Sequence, residues 1–168
     1  MEAGRRPERA RGEQEEPGLE IRPLRHADLR SVLSLERSIY PAPWRTEHFA
    51  QVIDLPGGMG WVAAALTGEV LGYAVGWVAA DEAELANIAV AIGWRRRGVG
   101  RRLVETIRQA ASQLGARRLY LEVRASNGAA QSFYAGLGFE VVGRRPDYYS
   151  RPREDALVMA VDLVGNGT

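Results

Sequence analysis

Cysteine and lysine are both absent from this chain of 168 residues, and histidine occurs twice. The lack of cysteine excludes a disulfide framework, a cysteine metal site and a thiol nucleophile. The lack of lysine makes all 22 basic residues arginine, so the N-terminus is the one amine the chain could offer for acylation on itself. His26 and His48 have no sequence neighbours that suggest a triad or a metal site, and no metal is expected. No stretch approaches the roughly 20 apolar residues of a membrane span, and the N-terminus has no apolar signal core. With 22 basic residues against 21 acidic ones the net charge is +1, which argues against general nucleic-acid binding. The expectation is a soluble, cytoplasmic monomer that engages neither membrane nor nucleic acid.

A chain of this length forms one domain that buries roughly two-thirds of its unfolded surface. Residues 1–19 are mostly Glu, Arg, Gly, Pro and Ala and predict a disordered tail; 20–163 hold the folded domain and 164–168 a C-terminal tail. Ile21 to Leu24 reads as a first strand. Leu29, Val32, Leu33, Leu35 and Ile39 predict a helix over Asp28 to Tyr40, stopped by Pro41-Ala42-Pro43. Thr46 is the expected cap of a second helix carrying Phe49, Val52 and Ile53. Trp61 to Leu66 and Val70 to Ala79 flank Thr67-Gly68-Glu69 as a hairpin. A strand over Glu84 to Val90, a helix over Val99 to Leu114, a strand over Arg118 to Arg124 and a helix over Asn127 to Leu137 follow. Phe139 to Gly143 and Ala156 to Leu163 make the last strands, joined by a loop over Arg144 to Asp155. This alternation predicts an α/β sandwich with a mixed, mostly antiparallel sheet of six or seven strands and about four helices.

Arg95-Arg96-Arg97-Gly98-Val99-Gly100-Arg101-Arg102 stands where a buried strand turns into an amphipathic helix. The first N–H groups of a helix lack intrahelical partners and carry the positive end of its dipole, so a phosphate can be held there by main chain. A P-loop needs Lys-Ser or Lys-Thr after its second glycine, and a dinucleotide fingerprint needs a third glycine where Leu103 stands; neither pattern fits. The run does spell R-x-x-G-x-G, and in spelling and setting it resembles the pyrophosphate loop of the GNAT N-acetyltransferase superfamily. The ordinary reading of such a run is a solvated arginine-rich turn.

The C-terminal half resembles one branch of that superfamily, the RimI-type acetyltransferases that act on the N-terminal alanine of a small-subunit ribosomal protein. The matching residues are Asp81-Glu82-Ala83, Asn87-Ile88-Ala89-Val90, Leu121-Glu122-Val123-Arg124-Ala125-Ser126-Asn127, Phe133-Tyr134 before Leu137-Gly138-Phe139, Tyr148-Tyr149, and Arg153-Glu154-Asp155-Ala156. Pro43-Trp44 followed by Phe49 matches the family's acceptor segment, and the matches run in order through most of residues 20–163. The resemblance implies a GNAT-like fold, acetyl-CoA as cosubstrate, and a ribosomal protein N-terminus as acceptor, acetylated by direct attack in a ternary complex. Other protein N-termini, lysines or a small amine are alternative acceptors, and an acyl-CoA sensor without turnover is a second alternative.

Acetyl transfer from a thioester to an amine needs a neutral nucleophile, stabilisation of the oxyanion and a proton for the leaving thiolate. Glu122 lies on the strand face opposite Leu119, Leu121 and Val123 and matches the family's proton acceptor; its ordinary reading is a surface glutamate paired with an arginine. Glu84 is the alternative base. Tyr134 occupies the family's acid position, although an aromatic at helical spacing is usually core, a part expected of Phe133. The resemblance places Ile88, Ala89 and Val90 at a strand bulge facing the cofactor, and Arg96, Arg97, Gly98, Val99, Gly100 and Arg101 around the pyrophosphate. Asn127 is a cofactor contact or a plain helix cap. Pro41 to Phe49 and the Arg144 to Asp155 loop are the expected acceptor walls, made acidic by Asp81, Glu82, Glu84 and Glu122.

Overall fold

Apolar side chains repeat along these strands on alternating or both faces, which requires cover on each side of a sheet. The computed structural model, which describes residues 18–163, supplies it. In chain order come β1 (Leu19–Pro23), α1 (Leu29–Ile39), α2 (Thr46–Asp54), β2 (Gly58–Ala65), β3 (Val70–Ala79), β4 (Glu82–Val90), α3 (Val99–Gln113), β5 (Arg118–Arg124), α4 (Gly128–Gly136), β6 (Glu140–Ser150) and β7 (Arg153–Asp162). The seven strands form one sheet in the order β1-β2-β3-β4-β5-β7-β6. Every pairing is antiparallel except β4 with β5. Nearly all of the two expected tails lies outside the described residues; Leu19, assigned to the tail by composition, is the first residue of β1.

One face of the sheet is covered by α3 and α4, where Leu103, Ile107 and Ala111 pack on Ala74, Leu119 and Leu121. The other is covered by α1 and α2, where Val32, Leu33, Phe49 and Val52 pack on Val62, Tyr73 and Val75. Burying one such side chain contributes about 1.5–3 kcal/mol, so truncation of Phe49, fully buried and edge-on to Tyr73 at 5.4 Å, is a change the α2 side could not absorb. Asp28 anchors the start of α1 by accepting from both Nη atoms of Arg22 at 2.8 Å and from the Arg25 N–H at 2.9 Å. Thr46 is the first residue of α2 and not its cap. Arg45 holds the cap position, and its N–H donates to Nδ1 of His48 at 3.1 Å.

Two features shape the middle of the sheet. The register of β3 against β4 passes from Gly76↔Leu85 to Val75↔Asn87, which leaves Ala86 as a bulge. Gly76 is required opposite it, since a Cβ there would stand 2.0 Å from the Glu84 carbonyl oxygen. The second feature corrects the sequence reading: residues 144–155 are not a loop, because β6 and β7 run almost the whole way through them. Pro146 and Asp147 suggest a break, and Asp147 does have φ 52. Asp155 bridges the irregularity, its carboxylate accepting from the Asp147 N–H at 2.8 Å and from Arg144 Nε at 2.7 Å.

Candidate active site

The parallel strands β4 and β5 pair only over Glu82–Glu84 against Arg118–Tyr120. Beyond that they part, and the bulge at Ala86 falls where they do. The gap holds a cavity of about 300 Å³ lined by residues 85–88 of β4, residues 121–124 of β5, Tyr40, Pro41 and Ala42 after α1, Asn127, Ala130 and Tyr134 of the α4 region, and Tyr149 of β6. Ile88, Glu122, Asn127 and Tyr134 are thus brought together on one opening. Ala89 is buried toward α1 and α2, away from the opening. The bulge lies at Ala86, ahead of the Ile88–Val90 stretch where the resemblance implies it.

Glu122 and Glu84 project from adjacent strands on the face opposite the α3 core. Glu122 is in ion-pair contact with Arg145 of β6 at 3.5 Å, as its ordinary surface reading anticipates, yet it also lines the cavity. Burial, and next the charge of Glu122 with which it shares a hydrogen bond, push Glu84 up to about 7, while Arg145 and the Trp77 indole pull it down. A carboxylate that takes up protons near neutrality is a better base than an ordinary one. Asp81 and Glu82 do not join this pair. Like Glu84 they are not among the residues lining the cavity, and unlike Glu84 neither is in contact with Glu122.

Three tyrosines surround the opening. Tyr134 is 7% exposed, its ring edge-on to Phe139 at 5.6 Å. Burial pushes its phenol above the usual range, so it stays protonated. Tyr149 is pushed up to about 12, again by burial first, and stacks beneath the Arg124 guanidinium at 4.1 Å. Tyr40 is also pushed up to about 12 by burial, and its hydroxyl donates to the Ile88 carbonyl. The roles expected of the aromatic pair are reversed in burial: Phe133, read as core, is 38% exposed. Its ring lies where a Cβ on Gly100 would meet it at 3.4 Å, between α4 and the start of α3.

At the far end of β4 the arginine-rich run forms the predicted turn into α3. Gly98 is the cap residue, with φ 79, a conformation that L side chains avoid, and open space around it. The Arg102 N–H bonds the Gly98 carbonyl at 3.0 Å. The amides of Val99, Gly100 and Arg101 ahead of it have no acceptor within the helix, and no acidic side chain stands in the first turn. An anion of pyrophosphate type fits this end. Val99 contributes its amide while its side chain is core. Arg96 has φ 61, Arg97 covers the Trp94 ring at 4.9 Å, and Arg101 pairs with Glu105 at 3.3 Å. Asn127 caps α4, its side chain accepting from the Ala130 N–H at 3.0 Å.

The sequence reading missed Glu36, Tyr40 and Tyr73. Glu36 is 1% exposed and accepts from the Trp44 N–H at 3.1 Å, from Asn87 Nδ2 at 2.8 Å and from the Tyr73 hydroxyl. One signal was available: Glu36 continues the Leu29, Val32, Leu33 stripe, a charge where the helix is otherwise apolar. Both histidines have local roles, His48 at the start of α2 and His26 against Asp54 at 3.0 Å. Among the described residues no three His, Asp or Glu side chains gather as metal ligands, and no helix is long and apolar enough to cross a membrane.

Comparison with known proteins gives a consistent set of likenesses. The model of the acetyltransferase (GNAT) family matches residues 29–139. The [ribosomal protein bS18]-alanine N-acetyltransferase of Escherichia coli strain K12 is 36% identical over 147 residues, covering 85% of this chain and 97% of that one. The crystal structure of the ribosomal-protein-S18-alanine N-acetyltransferase from Escherichia coli superposes with a TM-score of 0.80 at 34% identity, covering 89% of this chain and 96% of that one. Arabidopsis thaliana NAA60 in complex with acetyl-CoA shares the fold, with a TM-score of 0.77 at 20% identity over 89% of this chain and 99% of that one.

Proposed function

Because this chain belongs to the GNAT acetyltransferase family and is an N-acetyltransferase, we propose that it carries acetyl from acetyl-CoA to the N-terminal alanine of a small-subunit ribosomal protein, by direct attack within a ternary complex. The gap between β4 and β5 is the observation that carries this reading, because Glu122 and Tyr134 face into it and β4 runs on from it to the anion cradle at the start of α3. Similarity over nearly the whole length of the Escherichia coli relative supports the alanine acceptor. A ribosomal-protein acceptor sets the reaction in the cytoplasm, with the enzyme acting as a monomer on protein and not on nucleic acid.

The amides of Val99, Gly100 and Arg101, with Arg96, Arg97 and the Gly98 turn, hold the pyrophosphate, Val90 lies beside Gly100 at that end, and Ile88 and Asn127 line the cavity toward the reacting end. When bound, acetyl-CoA supplies the acetyl group as an activated thioester. An α-amine has a pKa of about 8 and arrives mainly as ammonium, so a proton must leave before it attacks. Glu122 takes that proton at the cavity, directly or through water, and Glu84 shares it. Tyr134 holds at its Oη the proton that a departing thiolate needs.

Thiol release from acetyl-CoA with a panel of short peptides tests the reading. Preferred turnover of a free alanine-initiated ribosomal peptide is expected. Turnover confined to N-blocked lysine peptides or a polyamine would keep the family and discard the acceptor, and tight acetyl-CoA binding without turnover would favour a sensor.

A further inference from the structure

Glu36 is buried among apolar side chains of α1, α2 and the sheet, a costly place for a carboxylate. Its hydrogen-bond partners are three neutral donors: the main-chain N–H of Trp44, the hydroxyl of Tyr73 on β3 and the side-chain amide of Asn87 on β4. A leucine or methionine would fill the same volume without that cost. What an apolar side chain could not do is accept from three separate parts of the chain at once. Only Asn87, which follows the bulged Ala86 of β4, lines the cavity itself. Trp44 stands toward the end of the irregular segment 40–45, whose first three residues line it. The other end of that segment is tied to the next residue of the same strand, where the Tyr40 hydroxyl donates to the Ile88 carbonyl. The wall formed by Tyr40, Pro41 and Ala42 is therefore strung between two anchors on consecutive residues of β4.

We propose that Glu36 is a positioning residue that sets the acceptor-side wall of the cavity against the β4 bulge, a role that rests on the acceptor reading given above. It touches no reacting atom. Its carboxylate fixes the wall at Trp44 while Tyr40 fixes it at Ile88, so loss of Glu36 should loosen acceptor binding and leave the pyrophosphate end of β4 unaffected.

Glu36→Gln replaces one acceptor oxygen by a donor that must face Asn87 or Trp44, and Asn87→Asp in the same chain restores a donor–acceptor pair with its partners exchanged. The test measures KM for an alanine-initiated peptide, KM for acetyl-CoA, kcat, and hydrogen-exchange protection of the Trp44 amide. In E36Q the peptide KM should rise about tenfold, with acetyl-CoA KM and kcat within about threefold, and the Trp44 amide should lose protection. The E36Q/N87D protein should recover both. An unchanged peptide KM beside a released Trp44 amide would overturn the proposal, as would parallel rises in both KM values that the double variant does not reverse. If E36Q does not fold, Asn87→Ala keeps the Trp44 and Tyr73 bonds and should show the same split at smaller size; equal effects on both KM values would overturn the role. Should the wild-type protein acetylate no peptide N-terminus, the acceptor reading falls by itself, and Trp44 exchange still decides whether Glu36 ties the wall to β4.

Discussion

Glu84 of β4 and Glu122 of β5 turn their carboxyl groups toward each other across the point where the two strands separate, and burial, with the Glu122 charge next, pushes Glu84 up to about 7. Its folded-state pKa lies above the 4.5 of an ordinary glutamate, so the protonated form favours the folded state. That contribution is complete below about 4.5 and is lost as pH rises through about 7. Discounted for the solvent that reaches the pair, a loss on the order of 1 kcal/mol is expected between about pH 5 and pH 8. Urea unfolding at the two pH values checks it, and Glu84→Gln should flatten the difference. The same variant should remove the limb near neutrality from the kcat/KM profile; a limb that stays in place would assign it to another group.

Tyr134→Phe keeps the ring that packs on Phe139 and removes the hydroxyl. On the proposed role of Tyr134 as proton donor, this loss should lower kcat by roughly 100-fold with Tm nearly unchanged. Undiminished kcat would take Tyr134 out of the chemistry and leave it a core residue.

Gly98→Ala puts a Cβ on a residue with φ 79 in open space, so the cost is conformational and not steric crowding. About 1–2 kcal/mol of stability should be lost. Since Gly98 opens the amide cradle, the KM for acetyl-CoA should rise while the peptide KM holds. Isothermal titration with CoA separates the two effects.

Arg124 reaches the carbonyls of Arg151 and Pro152 at 3.1 Å each and the Glu154 carboxylate at 3.3 Å, while its plane covers Tyr149. Lysine keeps the charge but not the fork or the stacking surface. Arg124→Lys is expected to cost about 1–2 kcal/mol and to raise the peptide KM through Tyr149. Denaturant midpoints and initial rates measure both.

The helices and central strands were legible because their apolar residues repeat at 3.6 or 2, as in α3 or in Leu119, Leu121 and Val123. The turn into α3 was legible because an apolar strand leads into the glycine pair and an amphipathic helix leaves it. The β6–β7 hairpin was hidden by Pro146 and Asp147, whose local preference for a break is overridden by the Asp155 carboxylate, a partner eight residues from Asp147. Phe133 and Tyr134 could not be told apart by spacing, since which ring is buried depends on where α4 meets α3. Glu36 stood in plain view on an apolar stripe, but its partners, eight, 37 and 51 residues away, belong to the fold and not to any local pattern.

A strand has peptide groups on both of its sides, and where β4 and β5 separate each is paired with one neighbour only. The sheet thus carries two inner edges in its middle, sheltered from the pairing with other chains that outer edges invite. A guest molecule with amides spaced like those of a peptide would complete the sheet as an eighth, non-protein strand. Binding of that kind closes a seam between two halves of one layer, so the protein should melt as a stiffer and more cooperative unit with its cosubstrate than without it.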